Sequence, residues 1–74
     1  MTIDEAIKTA KKECTNEYAQ TYLQAIPASI EFGGSYAFEV QLLYAYSNMT
    51  YWRGTIAKEV KTVIKKYLKE KGRM

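Results

Sequence analysis

The sequence predicts an all-α chain, a small three-helix bundle folded as one domain over residues 1–74. Three observations predict it. Between Thr55 and Leu68, Ile56, Val60, Val63, Ile64, Tyr67 and Leu68 recur at i, i+4, i+7, i+8, i+11 and i+12, the spacing of one apolar helix face. Thr2-Ile3-Asp4-Glu5 is a capping-box pattern ahead of Ile3, Ile7, Ala10 and Cys14, again at helical spacing. With one Pro and four Gly in 74 residues, breakers fall in only a few places.

The first helix is expected to run from about Ile3 to Ala25. The Thr2 hydroxyl can accept from the Glu5 N–H and Glu5 can reach back, while Asp4 and Glu5 suit the positive end of the helix dipole. Thr15-Asn16 reads as a break or second cap, yet the stripe resumes in phase at Tyr18, Tyr22 and Ala25 or Ile26, so one helix kinked near Thr15 is expected. Pro27 disfavours the α conformation at Ile26 and ends the helix. Residues 27–35 then form the main connection, punctuated by Gly33-Gly34.

Residues 36–49 admit two readings. Tyr36, Phe38, Val40, Leu42, Tyr44 and Tyr46 alternate as in a strand, and with Ser29-Ile30-Glu31-Phe32 they would form a β-hairpin over about residues 29–47, giving an α+β fold. But Leu42, Leu43 and Ala45 fill the other face too, and the run is long for a strand. A helix apolar on most sides, with Glu39, Ser47 and Asn48 exposed, also explains it, as the buried central helix of the bundle. The last helix follows a connection over Asn48 to Gly54 and ends at Gly72, with Lys66, Lys69 and Lys71 near its negative end.

A chain this short rarely gains more than about 3–5 kcal/mol from its core. Cys14 is the only Cys and there is no His, so neither an internal disulfide nor a structural zinc site is expected. Seven Tyr, two Phe and one Trp are more large side chains than a monomer of this size easily hides, so a homo-oligomer is expected. The beginning of the sequence lacks a basic, then apolar, leader pattern, and no stretch approaches the ~18 apolar residues of a membrane span. A lone Cys fits a reducing cytoplasm.

Charge is unevenly distributed. Residues 1–52 hold three Lys against six acids (−3), whereas residues 53–74 hold eight Lys or Arg against two Glu (+6). Such asymmetry marks either a solvated lysine face or a surface for an anionic partner.

No enzyme constellation is visible, and no catalytic, cofactor-binding or metal-binding residue is assigned. The commonest general base is missing, and Cys14 lies on an apolar stripe with no His to activate it. Gly33-Gly34-Ser35 lacks the fuller pattern and the Lys of a phosphate-binding loop. The candidate partner-binding residues are Tyr51, Trp52, Arg53, Lys58, Lys61 and Lys65. Trp and Arg are enriched at binding hot spots, and aromatics beside a guanidinium can stack a base and hold a phosphate. The plainer alternative is that Trp52 packs under the helix junction while Gly54 serves the turn. Lys58, Lys61, Lys65 and Lys69 form a stripe that could follow a phosphate backbone, but it contains no Arg, and no helix-turn-helix is recognisable. Arg53 sits where the helix dipole disfavours a cation, so it is expected either to pair with an acid such as Glu17 or Glu31, or to face an anion in a binding site.

The run Gly33-Gly34-Ser35, Val40-Gln41-Leu42-Leu43-Tyr44, Tyr51-Trp52-Arg53-Gly54 and Lys58-Glu59-Val60-Lys61 resembles small uncharacterised proteins of phages and prophages of Gram-positive bacteria. The resemblance covers Gly33 to Leu68 and implies a bacterial cytoplasm and an accessory role, such as binding and blocking a host factor, including a defence component. From the residues and the resemblance together, the expected function is a non-enzymatic interaction protein that binds a host protein. Nucleic-acid binding through the last helix, or capture of a nucleotide-like anion at a subunit interface, are the alternatives.

Overall fold

The computed structural model describes the backbone of residues 1–74 and all side chains except those of Ala28, Ser29, Ile30 and Phe32. It contains four helices and no strand, so the chain is all-α with one helix more than the expected three, and the hairpin over residues 29–47 does not form. The helices are α1 (Ile3–Glu13), α2 (Glu17–Gln24), α3 (Ile26–Ser47) and α4 (Thr55–Glu70).

The extra helix arises at Cys14–Asn16, where the chain breaks and Asn16 caps a new helix instead of one kinked helix running through. Both bonds of the capping box start α1: the Thr2 N–H donates to Glu5 Oε1 at 3.0 Å and the Glu5 N–H to Thr2 Oγ1 at 3.2 Å. At its other end Cys14 is extended, and Asn16 caps α2 by accepting from the Ala19 N–H at 2.9 Å. The Gln20 amide then bridges the break, donating to the Ala10, Lys11 and Cys14 carbonyls at 3.0, 3.0 and 2.7 Å. It thereby serves the Lys11 and Cys14 carbonyls at the end of α1 and adds a second donor to the Ala10 carbonyl, which already accepts from the Cys14 N–H. Because α2 starts afresh, it buries Ala19 and Leu23 rather than continuing the stripe, and Tyr18 is 70% exposed.

Pro27 lies in the first turn of α3, where its missing N–H costs nothing, so it opens a helix rather than a loop. The expected connection over residues 27–35 is therefore helical, with a sharp bend at Gly34 (φ 61°, ψ −145°), a conformation that side chains with a Cβ rarely adopt. Close approach constrains its neighbour as well: a Cβ on Gly33 would meet the Ala37 methyl at 2.5 Å.

α4 buries Ala57, Val60, Ile64 and Leu68, whereas Ile56 is 48% exposed. Val60, Ile64 and Leu68 of the expected stripe are thus buried, Val63 and Tyr67 pack against them, and with Ala57 in place of Ile56 the buried line is rotated by about half a residue, toward Lys61. α4 ends in a Schellman motif: Gly72 has φ 74°, its N–H donates to the Lys69 carbonyl at 3.1 Å, and the Arg73 N–H donates to the Leu68 carbonyl at 2.9 Å. The end beyond it is pinned, since Arg73 Nε donates to Glu39 Oε1 at 3.1 Å and its guanidinium lies 4.6 Å from the Tyr36 ring centre.

The helices form a ring. α1 packs on α2, α2 on α3, α3 on α4 and α4 on α1, without direct α1–α3 or α2–α4 packing among the described residues. No helix is central, and α3 is covered on one side rather than buried all round. The core joins Ile7 and Ala10 of α1, Leu23 of α2, Leu42 and Ala45 of α3, and Val60, Ile64 and Leu68 of α4, with Met49 and Trp52 from the α3–α4 loop. Burying each of the larger side chains contributes about 1.5–3 kcal/mol. Among the described residues no helix is long and apolar enough to cross a membrane.

Candidate functional site

The polar residues after α3 serve its own carboxyl end. Ser47 Oγ donates to the Leu43 carbonyl, Asn48 Nδ2 to the Tyr44 carbonyl and Thr50 Oγ1 to the Ser47 carbonyl. The chain then turns inward. The Trp52 N–H donates to the Met49 carbonyl at 3.0 Å, and the Met49 and Trp52 side chains enter the core, Trp52 with 8% of its surface left exposed. From α4, Lys61 Nζ reaches back to the Met49 carbonyl at 3.2 Å and the Trp52 carbonyl at 2.6 Å. This charge-assisted pair ties the loop to the helix that follows it.

Fixing Trp52 fixes what comes next. Arg53 is exposed, and Gly54 occupies the N-cap position of α4, where it offers no side chain to cap the helix; the first turn of α4 holds no acid. An open cleft of about 420 Å³ lies here, lined by Tyr46, Trp52, Arg53, Gly54, Lys58, Lys61, Thr62 and Lys65. Four of the eight lining residues are cationic and none is acidic, and Arg53, Lys58 and Lys65 are exposed. Among the described residues Arg53 forms no ion pair; neither Glu17 nor Glu31 reaches it, and the ion pair present joins Arg73 to Glu39. The arrangement brings several positive charges around the rims of an indole and a phenol, in a cavity of the size that holds small ligands or a few side chains.

The structure brings together five of the six predicted residues, Trp52, Arg53, Lys58, Lys61 and Lys65, and leaves Tyr51 outside the lining with 82% of its surface exposed. Trp52 therefore offers the cleft an edge of a buried ring rather than a projecting anchor. Lys61 was expected on the solvated face, but the rotation of α4 half-buries it and commits it to two carbonyls. Tyr46 and Thr62 were not among the predicted site residues. Thr62 follows Lys58 by one turn, so its place was available from helical spacing; that of Tyr46 depends on the contact between α3 and the loop.

Cys14 is a buried free thiol, and among the described residues no three His, Cys, Asp or Glu side chains gather as a metal site would need. Compared with known protein families, characterised proteins and solved structures, the chain matches none.

Proposed function

We propose that the chain is a small non-enzymatic interaction protein that docks an acidic segment of a partner protein in the α3–α4 cleft. The carrying observation is the cleft's lining: Arg53, Lys58, Lys61 and Lys65 beside Tyr46 and Trp52, with no carboxylate among them. Exposed like charges held together without a counter-charge favour a partner that supplies one, and electrostatic complementarity of this kind speeds encounter and sets specificity. The resemblance to phage accessory proteins supplies a setting, a bacterial cytoplasm in which the partner is a host factor and docking blocks it.

Capture from a bacterial lysate tests this, comparing the wild-type chain with Arg53→Glu/Lys58→Glu. Trp52→Ala is avoided because it would open the core. The proposal expects a discrete protein retained by wild type, lost from the double variant and eluted by an oligoglutamate peptide. Retention by both proteins would overturn it. Retention of nucleic acid alone, with affinity falling by about 0.9 log units per log unit of salt for each phosphate contacted, would replace it with nucleic-acid binding.

A second reading rests on cavity size. A space of about 420 Å³ also accommodates a nucleotide-like anion. A ligand present at 100 times its Kd would stabilise the fold by about 2.7 kcal/mol, so melting against a panel of nucleotides decides this reading.

A further inference from the structure

We infer that the outward face of α3 is where a second copy of this chain docks, in a symmetric dimer with the two α3 helices antiparallel. The face runs through Tyr36, Val40, Leu43, Tyr44 and Ser47, at i, i+4, i+7, i+8 and i+11, turned away from the buried line of Leu42, Ala45 and Met49. Tyr36 is 67% exposed and Tyr44 50% exposed, while Val40 and Leu43 are half-buried. α2 extends the patch: the Tyr22 ring lies 5.6 Å from the Tyr44 ring, and Tyr18, one turn before Tyr22, is 70% exposed.

Charge distribution selects the occupant. A two-fold interface sets every group near its axis against its own copy, so the centre of such a surface must be free of like charges. The α3 face meets this condition, carrying no acid or base at its outward positions. At its border the Glu39 carboxylate is already paired with Arg73, whose guanidinium also covers the Tyr36 ring. The exposed side of α4 fails it, because Lys58, Lys65, Lys66 and Lys69 would meet their own copies. The antiparallel arrangement also opposes the two helix dipoles.

The area is adequate. At their observed exposures Tyr18, Tyr36 and Tyr44 alone present about 370 Å² per copy, close to half of the ~800 Å² that each partner contributes to a standard interface. Nor are these side chains left out by an open fold. The radius of gyration is 11.2 Å, matching the ~11 Å of a fully collapsed chain of this length.

The test is sedimentation of the full chain over about 1–100 µM, the range in which modest interfaces associate. Val40 is the residue to change, since it lies mid-face and outside the core. The inference expects a dimer for wild type and association about 100-fold weaker for Val40→Lys and for Val40→Glu. An equimolar mixture of the two should dimerise again, as opposite charges then meet across the axis. Helical content checks that both variants fold, and Ser47→Arg, at an exposed position on the same face, gives the same readout if they do not. A wild-type chain monomeric throughout, or a dimer indifferent to both Val40 and Ser47, would overturn the inference.

Discussion

Lys61 Nζ lies 2.6 Å from the Trp52 carbonyl oxygen, so α4 holds the loop that delivers the chain to its own first turn. The cleft therefore contains two kinds of cation. Lys61 is part of the scaffold, and its charge is spent on the Met49 and Trp52 carbonyls. Arg53, Lys58 and Lys65 surround it on the exposed rim.

This division predicts opposite phenotypes for two cations of one cleft. Lys61→Met takes the lysine donor from the part-buried Trp52 carbonyl and leaves the Met49 carbonyl only the Trp52 N–H, and should lower stability by about 1–3 kcal/mol. At this chain length each kcal/mol corresponds to a fall in Tm of about 4–8 °C. Arg53→Ala should change stability by less than about 0.5 kcal/mol, as for other surface positions. Thermal melts followed by circular dichroism decide it, and an equal loss for the two variants would contradict the assignment.

Gln20 gives a prediction of chemical type rather than size alone. Its position accepts only donors, because three carbonyl oxygens face it. Gln20→Ala should cost about 1–3 kcal/mol. Gln20→Glu should cost more at neutral pH, where a carboxylate has no proton to offer, and should recover part of the loss in acid as the group protonates. If Gln20→Glu proves milder than Gln20→Ala at neutral pH, the amide is not the clamp between α1 and α2.

The sequence disclosed features whose partners are local. The capping box needs only Thr2 and Glu5, and the α4 stripe only its own periodicity, so both were legible. The break at Cys14–Asn16 was half legible. Asn16 is a recognisable cap, but Tyr18 and Tyr22 continue the phase of the first stripe so well that they mask the new buried line through Ala19 and Leu23. Close packing of helices favoured the small Ala19 over the large tyrosines. At the site, Trp52, Arg53 and the lysines could be grouped by composition and spacing. The dual character of Lys61 could not, because its acceptors are backbone carbonyls set by tertiary folding. Arg53 was expected either to pair with an acid or to face an anion in a site, and the arginine that takes a carboxylate is Arg73, 34 residues from Glu39. No local pattern encodes that pairing.

The amino-terminal cap predicts a pH dependence. The Thr2 backbone N–H, followed by the Thr2 hydroxyl, holds the Glu5 carboxyl below its ordinary value of 4.5. A carboxyl lowered on folding contributes stability that is present above its unfolded-state value and disappears as pH falls through the folded one. Glu5→Ala should therefore melt below wild type at neutral pH, and the gap should narrow below about pH 4.5. A gap of constant size down to pH 2 would show that Glu5 acts without its charge.

The central claim, that the α3–α4 cleft docks an acidic segment, is tested most directly by titrating an oligoglutamate peptide into the isotope-labelled chain at about 50 mM salt and following backbone amides by NMR. The account predicts saturable shifts at Arg53, Gly54, Lys58, Thr62 and Lys65 that vanish in Arg53→Glu/Lys58→Glu, while the amides of Val40 and Tyr44 stay unmoved. Amides of the cleft that do not respond, or shifts of equal size along every lysine-bearing helix, would contradict it.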